Sequence, residues 1–171
     1  HMDGEDGSTN FIDSSPSEHA MTANVGAHIN TAESVFGGSS AKFDNLTGTH
    51  ISAGDSEDWE WGTGDLTIEA RVKLNSTVSN NTIISRVTSA GSYFYWAFEA
   101  TGLRFRDFTG SAVIDFTIAL AVTADTWYHF AITRVGSTFK TFRDGVQIGS
   151  NDDASSFTER AVNLEVGSMS V

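Results

Sequence analysis

Residues Trp127 to Gly149 constrain the fold more tightly than any other stretch of the chain. They read as three short strands joined by two tight turns. Trp127 to Arg134 is rich in aromatic and β-branched residues, and Gly136-Ser137 supplies the first turn. Phe139 to Arg143 returns, and Asp144-Gly145 turns the chain again into Val146 to Ile148. Asp-Gly between apolar runs is a strong hairpin signal, because a type I′ turn needs positive φ at both central residues. Three strands joined this way predict antiparallel sheet.

The same periodicity recurs upstream. From Leu66 to Leu74, Leu66, Ile68, Ala70, Val72 and Leu74 share one side, while Thr67, Glu69, Arg71 and Lys73 share the other. Helical spacing would scatter those apolar positions, so this reads as a strand with one buried face. Thr82 to Val87 follows an Asn80-Asn81 turn. Tyr93 to Glu99 and Leu103 to Phe108 flank Ala100-Thr101-Gly102 as a further hairpin, with Phe94, Trp96 and Phe98 on the core side. Leu103, Phe105 and Asp107 alternate with Arg104, Arg106 and Phe108 on the return strand. Val113 to Val122 sets Ile114, Phe116, Ile118 and Leu120 against Asp115 and Thr117, and a last strand is expected near Val162 to Val166. Shorter strands are expected between Met21 and Ile29, at Ala41 to Phe43 and at His50 to Ser52. Ten to twelve short strands and no long helix predict an all-β sandwich. Residues 3–171 read as one domain, with His1-Met2 a cloning remnant.

The residues that carry the strands also carry a resemblance. A Trp-x-His-(apolar)-Ala strand, a glycine turn, a second strand and an Asp-Gly turn look like laminin-G-like, concanavalin A-like lectin and glucanase jelly rolls. Phe43-Asp44, the acidic-aromatic loop Asp55 to Gly62, and Thr63 to Glu69 extend the likeness, as do Asp13-Ser14-Ser15 and Phe36-Gly37-Gly38-Ser39. The resemblance implies a jelly-roll sandwich of two antiparallel sheets. Measured against that pattern, a first strand and a last strand after Gly167 are lacking. Open sheet edges would result, inviting a homodimer or strand exchange.

Charge and composition exclude several functions. A formal charge of −12 argues against nucleic acid and anionic membranes, both of which demand basic patches. No apolar run approaches membrane-spanning length. There are no cysteines, so disulfide scaffolds and thiolate sites are excluded. No phosphate loop, dinucleotide fingerprint, serine elbow or metal-spaced histidine pair is present among His1, His19, His28, His50 and His129.

Hydrolysis is the activity some relatives would suggest. A retaining glycosidase needs two carboxyls roughly 5 to 5.5 Å apart. The dense acidic cluster of Asp55, Glu57, Asp58 and Glu60 sits in a loop bounded by Gly54 and Gly62, and reads as solvated, with Trp59 and Trp61 anchored in the core. Glu69 has Thr67 and Arg71 beside it on its own face, and no second carboxylate. His129 reads as an inward-leaning, hydrogen-bonded residue. The resemblance implies a structural calcium, for which Asp13 and Asp44 are the candidate ligands. A sugar site needs an aromatic platform flanked by hydrogen-bonding groups. Tyr93, Tyr95, Glu99, Arg104 and Arg106, on the outward face of one hairpin, supply that chemistry; the bland alternative is a solvated hairpin with cross-strand Glu-Arg pairs. Thr141 and Arg143 depart from the apolar residues that the resemblance leads one to expect in that strand, without an evident reason.

The expectation is a non-catalytic module binding glycans or other surface ligands, in an extracellular, cell-surface or virion protein. A degenerate glycoside hydrolase or polysaccharide lyase, or a structural assembly domain, are the alternatives.

Overall fold

A computed structural model describes residues 2–44, 46–76 and 81–169. The Asn80 half of the expected Asn80-Asn81 turn lies outside the described residues. The chain forms thirteen described strands and one short 3-10 turn at Glu57–Trp59. Seven strands make the larger sheet, in the order β1 (Met21–Asn24), β4 (His50–Ala53), β13 (Leu164–Val166), β6 (Asn81–Ser89), β7 (Ser92–Glu99), β8 (Gly102–Thr109) and β9 (Ala112–Ile118). Four make the second sheet, in the order β12 (Val146–Asp152), β11 (Thr138–Arg143), β10 (Trp127–Val135) and β5 (Leu66–Lys73). A separate ribbon pairs β2 (Ala27–Asn30) with β3 (Ser40–Phe43). Every strand pairing is antiparallel, as the alternation predicts.

The meander folds as read. Asp144 and Gly145 both take positive φ, 51° and 79°, the pair of values a type I′ turn requires. The two sheets bury Ile83, Phe94, Trp96, Phe98, Leu103, Phe105, Ile114, Phe130, Ile132 and Phe139 between them. Leu66, Ile68, Ala70 and Val72 of β5 pack against the same core from its margin. A second core, of Phe11, Ala27, Ile29 and Ile51, seats the β2–β3 ribbon, and Met2 packs against it.

Several expectations shift in detail. The strand expected over residues 113–122 ends at Ile118, yet Leu120 and Val122 still pack on the core. The apolar alternation there reports burial without sheet pairing. The last strand, expected near Val162 to Val166, is shortened to Leu164–Val166 and sits between β4 and β6. β5 stands at the end of its sheet, with the β2–β3 connection reaching its outward side chains: Phe36 lies 4.6 Å from the Arg71 guanidinium, and Glu33 is 2.5 Å from Lys73. His129 faces outward, not inward. Its neighbours Tyr128 and Phe130 take the inward phase of β10, and its Nε2 lies 3.2 Å from Glu69 across the strand pair.

Three buried arginines fasten the irregular stretch 153–162 to the sandwich. Arg134 donates to the carbonyls of Gly136, Gly62, Asp153 and Ser155 and lies over the rings of Phe139 and Phe157. Arg86 reaches Asp55 at 3.0 Å, Glu60 at 2.8 Å and the carbonyls of Trp59, Arg160 and Val162. Arg160 pairs with Asp107, which is wholly buried, and donates to the carbonyls of Thr158, Tyr93 and Phe108. Between these anchors Phe157 inserts among Trp61, Phe94 and Phe105.

Candidate functional site

The five residues singled out on the outward face of one hairpin come together. Adjacent strands put Tyr93 opposite Phe108, Tyr95 opposite Arg106, and Arg106 in turn opposite Asp115. Tyr93 is the middle of three nearly parallel rings, 5.1 Å from Phe108 and 5.7 Å from Tyr95. These are offset-stacked distances, which aromatic quadrupoles favour. The rings therefore form a ribbon along the sheet rather than the open platform the sequence suggested.

Polar groups knit one flank of the ribbon. Tyr95 donates its hydroxyl to Glu99 Oε1 at 2.5 Å. Arg104 forks onto Asp115, with Nε to Oδ1 at 2.7 Å and Nη2 to Oδ2 at 2.6 Å, and reaches Glu99 Oε2 at 3.3 Å. Bidentate pairing of this kind fixes geometry as well as charge. The Asp115 carboxylate holds Arg104 even more firmly protonated than usual. Tyr95 is 6% exposed, and burial together with the adjacent Glu99 carboxylate pushes its phenol up to about 12. At neutral pH it is a fixed hydrogen-bond donor, not an acid.

Asp115 and Phe108 complete the site, and the sequence reading did not assign them to it. Asp115 sits in the outward phase of its strand beside Thr117, so its face was legible. Its partner was not, because the β8–β9 register, shifted at Asp107 and Phe108, decides which arginines it meets.

The remaining candidates serve other ends. Asp55 and Glu60 bracket buried Arg86. Asp58 accepts from Ser17 at 2.6 Å and lies 3.2 Å from His19 Nε2. Trp61 packs edge-on against Phe94 and Phe157, whereas Trp59 stacks on His19 and donates to the Gly54 carbonyl. The acidic loop is solvated as expected at Asp55, Glu57 and Asp58, and it also fastens the 55–62 segment through Asp55 and Glu60 on Arg86. Arg143, the odd residue of β11, reaches the Ala121 carbonyl at 3.2 Å and lies over the Tyr128 ring, capping the sandwich end; Thr141 is buried.

Asp13 and Asp44 are each committed to other partners. Asp13 accepts from the Ser15 amide and hydroxyl and from the His19 amide, with His19 Nδ1 at 2.8 Å, and these bonds hold its carboxyl well below the usual range. Asp44 lies 3.7 Å from Lys42 and 3.9 Å from His28. Among the described residues no three His, Cys, Asp or Glu side chains are grouped to hold a metal ion. These donors do not fit a calcium ion, which takes six to eight oxygens.

Comparison with known proteins places the fold. The model of the concanavalin A-like lectin/glucanases superfamily matches residues 43–168. No curated protein matches the chain. Among solved structures, the binding domain of Paraclostridial Mosquitocidal Protein 1 is similar with a TM-score of 0.71 at 14% identity, over 94% of this chain and 42% of that one. Domain 4 of AbnA, a GH43 extracellular arabinanase from Geobacillus stearothermophilus solved with arabinotriose, gives 0.67 at 14% identity, over 88% of this chain and 73% of that one. Botulinum neurotoxin type C, whose cell entry depends on two ganglioside molecules, also gives 0.67, at 13% identity, over 94% of this chain and 41% of that one. The chain thus spans less than half the length of two of these three structures, and at such identities the likeness is one of fold. Two stacked antiparallel sheets and a match across residues 43–168 lead to one conclusion: the chain belongs to the concanavalin A-like lectin/glucanase superfamily.

Proposed function

We propose that this chain is a non-catalytic, glycan-binding module that works outside the cell. The observation carrying this reading is the outward ribbon Phe108–Tyr93–Tyr95 with Glu99, Arg104, Arg106 and Asp115 along its flank. A pyranose has an apolar CH face and a rim of hydroxyls. Tyr93 and Phe108, both partly exposed, offer hydrocarbon surface to the first, and the charged side chains offer donors and acceptors to the second. Rigid strands hold both sets, so little ordering entropy is lost on binding. Support from fold comes from similar structures, one a domain solved with arabinotriose and one a neurotoxin whose cell entry depends on two ganglioside molecules.

A hydrolytic role has weaker support. The clustered carboxylates Asp55 and Glu60 neutralise a buried arginine, and Glu69 faces His129. Neither arrangement leaves an acid and a nucleophile facing one another across a cleft.

The test is a glycan array followed by calorimetry on the sugars that bind. Tyr93→Ala should abolish binding while the thermal midpoint changes little, since Tyr93 is half-buried. Unchanged affinity in that variant, or release of reducing ends from any bound polysaccharide, overturns the proposal. A structural reading draws on β5, which ends its sheet; light scattering that finds only dimers, with no glycan bound, would favour it.

A further inference from the structure

The charged side chains of the ribbon differ in what they leave open. Glu99 engages Tyr95 and Arg104, while Asp115 engages Arg104 through both oxygens. Each of the three nitrogens of Arg104 donates to one of these two carboxylates. Arg106 differs. Its buried Nε lies 3.3 Å from Asp115 Oδ2 without hydrogen-bond geometry. Its guanidinium lies over the Phe108 ring at 4.6 Å and within 5.7 Å of the Tyr93 ring. It also reaches the Tyr95 hydroxyl, an interaction that favours that group's ionised form. Among the described residues, the one carboxylate beside Arg106 meets it through Nε, and its terminal nitrogens are not forked onto an acid as those of Arg104 are.

Resting on the glycan-binding reading, we propose that this site selects acidic sugars, with Arg106 as the residue that recognises the carboxylate or sulfate. A guanidinium on an aromatic face has its rotamers restricted before any ligand arrives, so less freedom is lost per bond formed. Its two terminal nitrogens form a planar fork that matches two oxygens of one anionic group. A hydroxyl can meet only one tooth of that fork. The sugar ring then lies along the neighbouring, partly exposed Tyr93.

The net charge of −12 does not oppose this. At physiological ionic strength charges beyond about 8 Å are largely screened. Within the cluster, Arg104 and Arg106 balance Glu99 and Asp115, so an approaching anion meets no local excess of negative charge.

The experiment uses affinity electrophoresis and calorimetry on the whole chain. The probes are polygalacturonate for carboxylate, chondroitin sulfate for sulfate plus carboxylate, and arabinan and β-glucan as neutral controls. Either acidic polymer binding about tenfold or more tightly than the neutral ones supports the proposal, and the one preferred names the source of the anion. Arg106→Lys keeps the charge but not the fork, and should lose about tenfold more affinity for the acidic probe than for the neutral ones. Arg106→Gln should lose more, with circular dichroism and melting unchanged in both variants. Equal affinity for neutral and acidic probes, or full retention by Arg106→Lys, overturns acidic selectivity but leaves the glycan-binding reading intact. No binding to any probe, or on a broad array, overturns both.

Discussion

Replacing Asp107 by Ala probes how the candidate site is fastened. Asp107 lies in the core phase of β8, is 0% exposed, and receives the Thr158 amide at 2.7 Å as well as the Arg160 guanidinium. Arg160 is itself 5% exposed, so Ala leaves a cation stranded away from water. Removing one partner of a buried pair costs about 3 to 5 kcal/mol. Three carbonyls, of Thr158, Tyr93 and Phe108, still receive Arg160, which points to the lower end, about 3 kcal/mol. For a chain of this size that is a fall in melting temperature of roughly 6 to 12 °C. Urea denaturation would show the same loss as a lower midpoint at an unchanged slope. Because Arg160 also holds the backbone of Tyr93 and Phe108, glycan affinity should fall well before the protein unfolds. A paired Asp107→Leu, Arg160→Met variant, which removes both charges, should recover most of the stability. A loss below about 1 kcal/mol for Asp107→Ala would refute the reasoning, since it would mean that Arg160 needs no counter-charge.

Three further predictions follow from single contacts. Tyr95 has a folded pKa of about 12, above its ordinary value of 10, so its contribution is complete below pH 10 and is lost as pH rises toward 12. Tyr95→Phe should flatten that alkaline limb in a pH series of urea midpoints; an identical slope would contradict the Tyr95–Glu99 bond. At Gly102, φ is 142° and an added Cβ would fall 2.2 Å from the Ile118 carbonyl oxygen. Gly102→Ala should therefore destabilise by about 3 kcal/mol through backbone strain and overpacking, measured by thermal melting. Asp13 and Asp44 being committed elsewhere, millimolar calcium or a chelator should leave the melting midpoint where it is; a rise with calcium would show native-state binding and refute that assignment.

The architecture was legible because periodicity reports burial, and burial is what stacks two sheets. Leu66 to Val72 alternates by solvent exposure residue by residue, and the paired positive φ values at Asp144 and Gly145 follow from residue type alone. Legibility failed where burial and pairing separate. Leu120 and Val122 are packed without belonging to a strand, so the alternation overran the end of β9 at Ile118. His129 carried an expectation from the resemblance that its own phase contradicts, since Tyr128 and Phe130 already claim the inward side.

The site divides along the same line. Residue types on one strand face are local information, so Tyr93, Tyr95, Glu99, Arg104 and Arg106 could be gathered from two adjacent strands. Which of their charges remain available is not local, because Asp115 comes from a third strand at a shifted register. Asp107 sharpens the point. Its phase placed it with Leu103 and Phe105, a carboxylate in a core position that local pattern would reject. The answer lies 53 residues away in Arg160, inside a segment with no regular structure for periodicity to read. A buried charge is tolerated only when its partner is delivered to it. The misfit of Asp107 was therefore itself a signal that some distant cation must cross over this sheet, although nothing local could name which one.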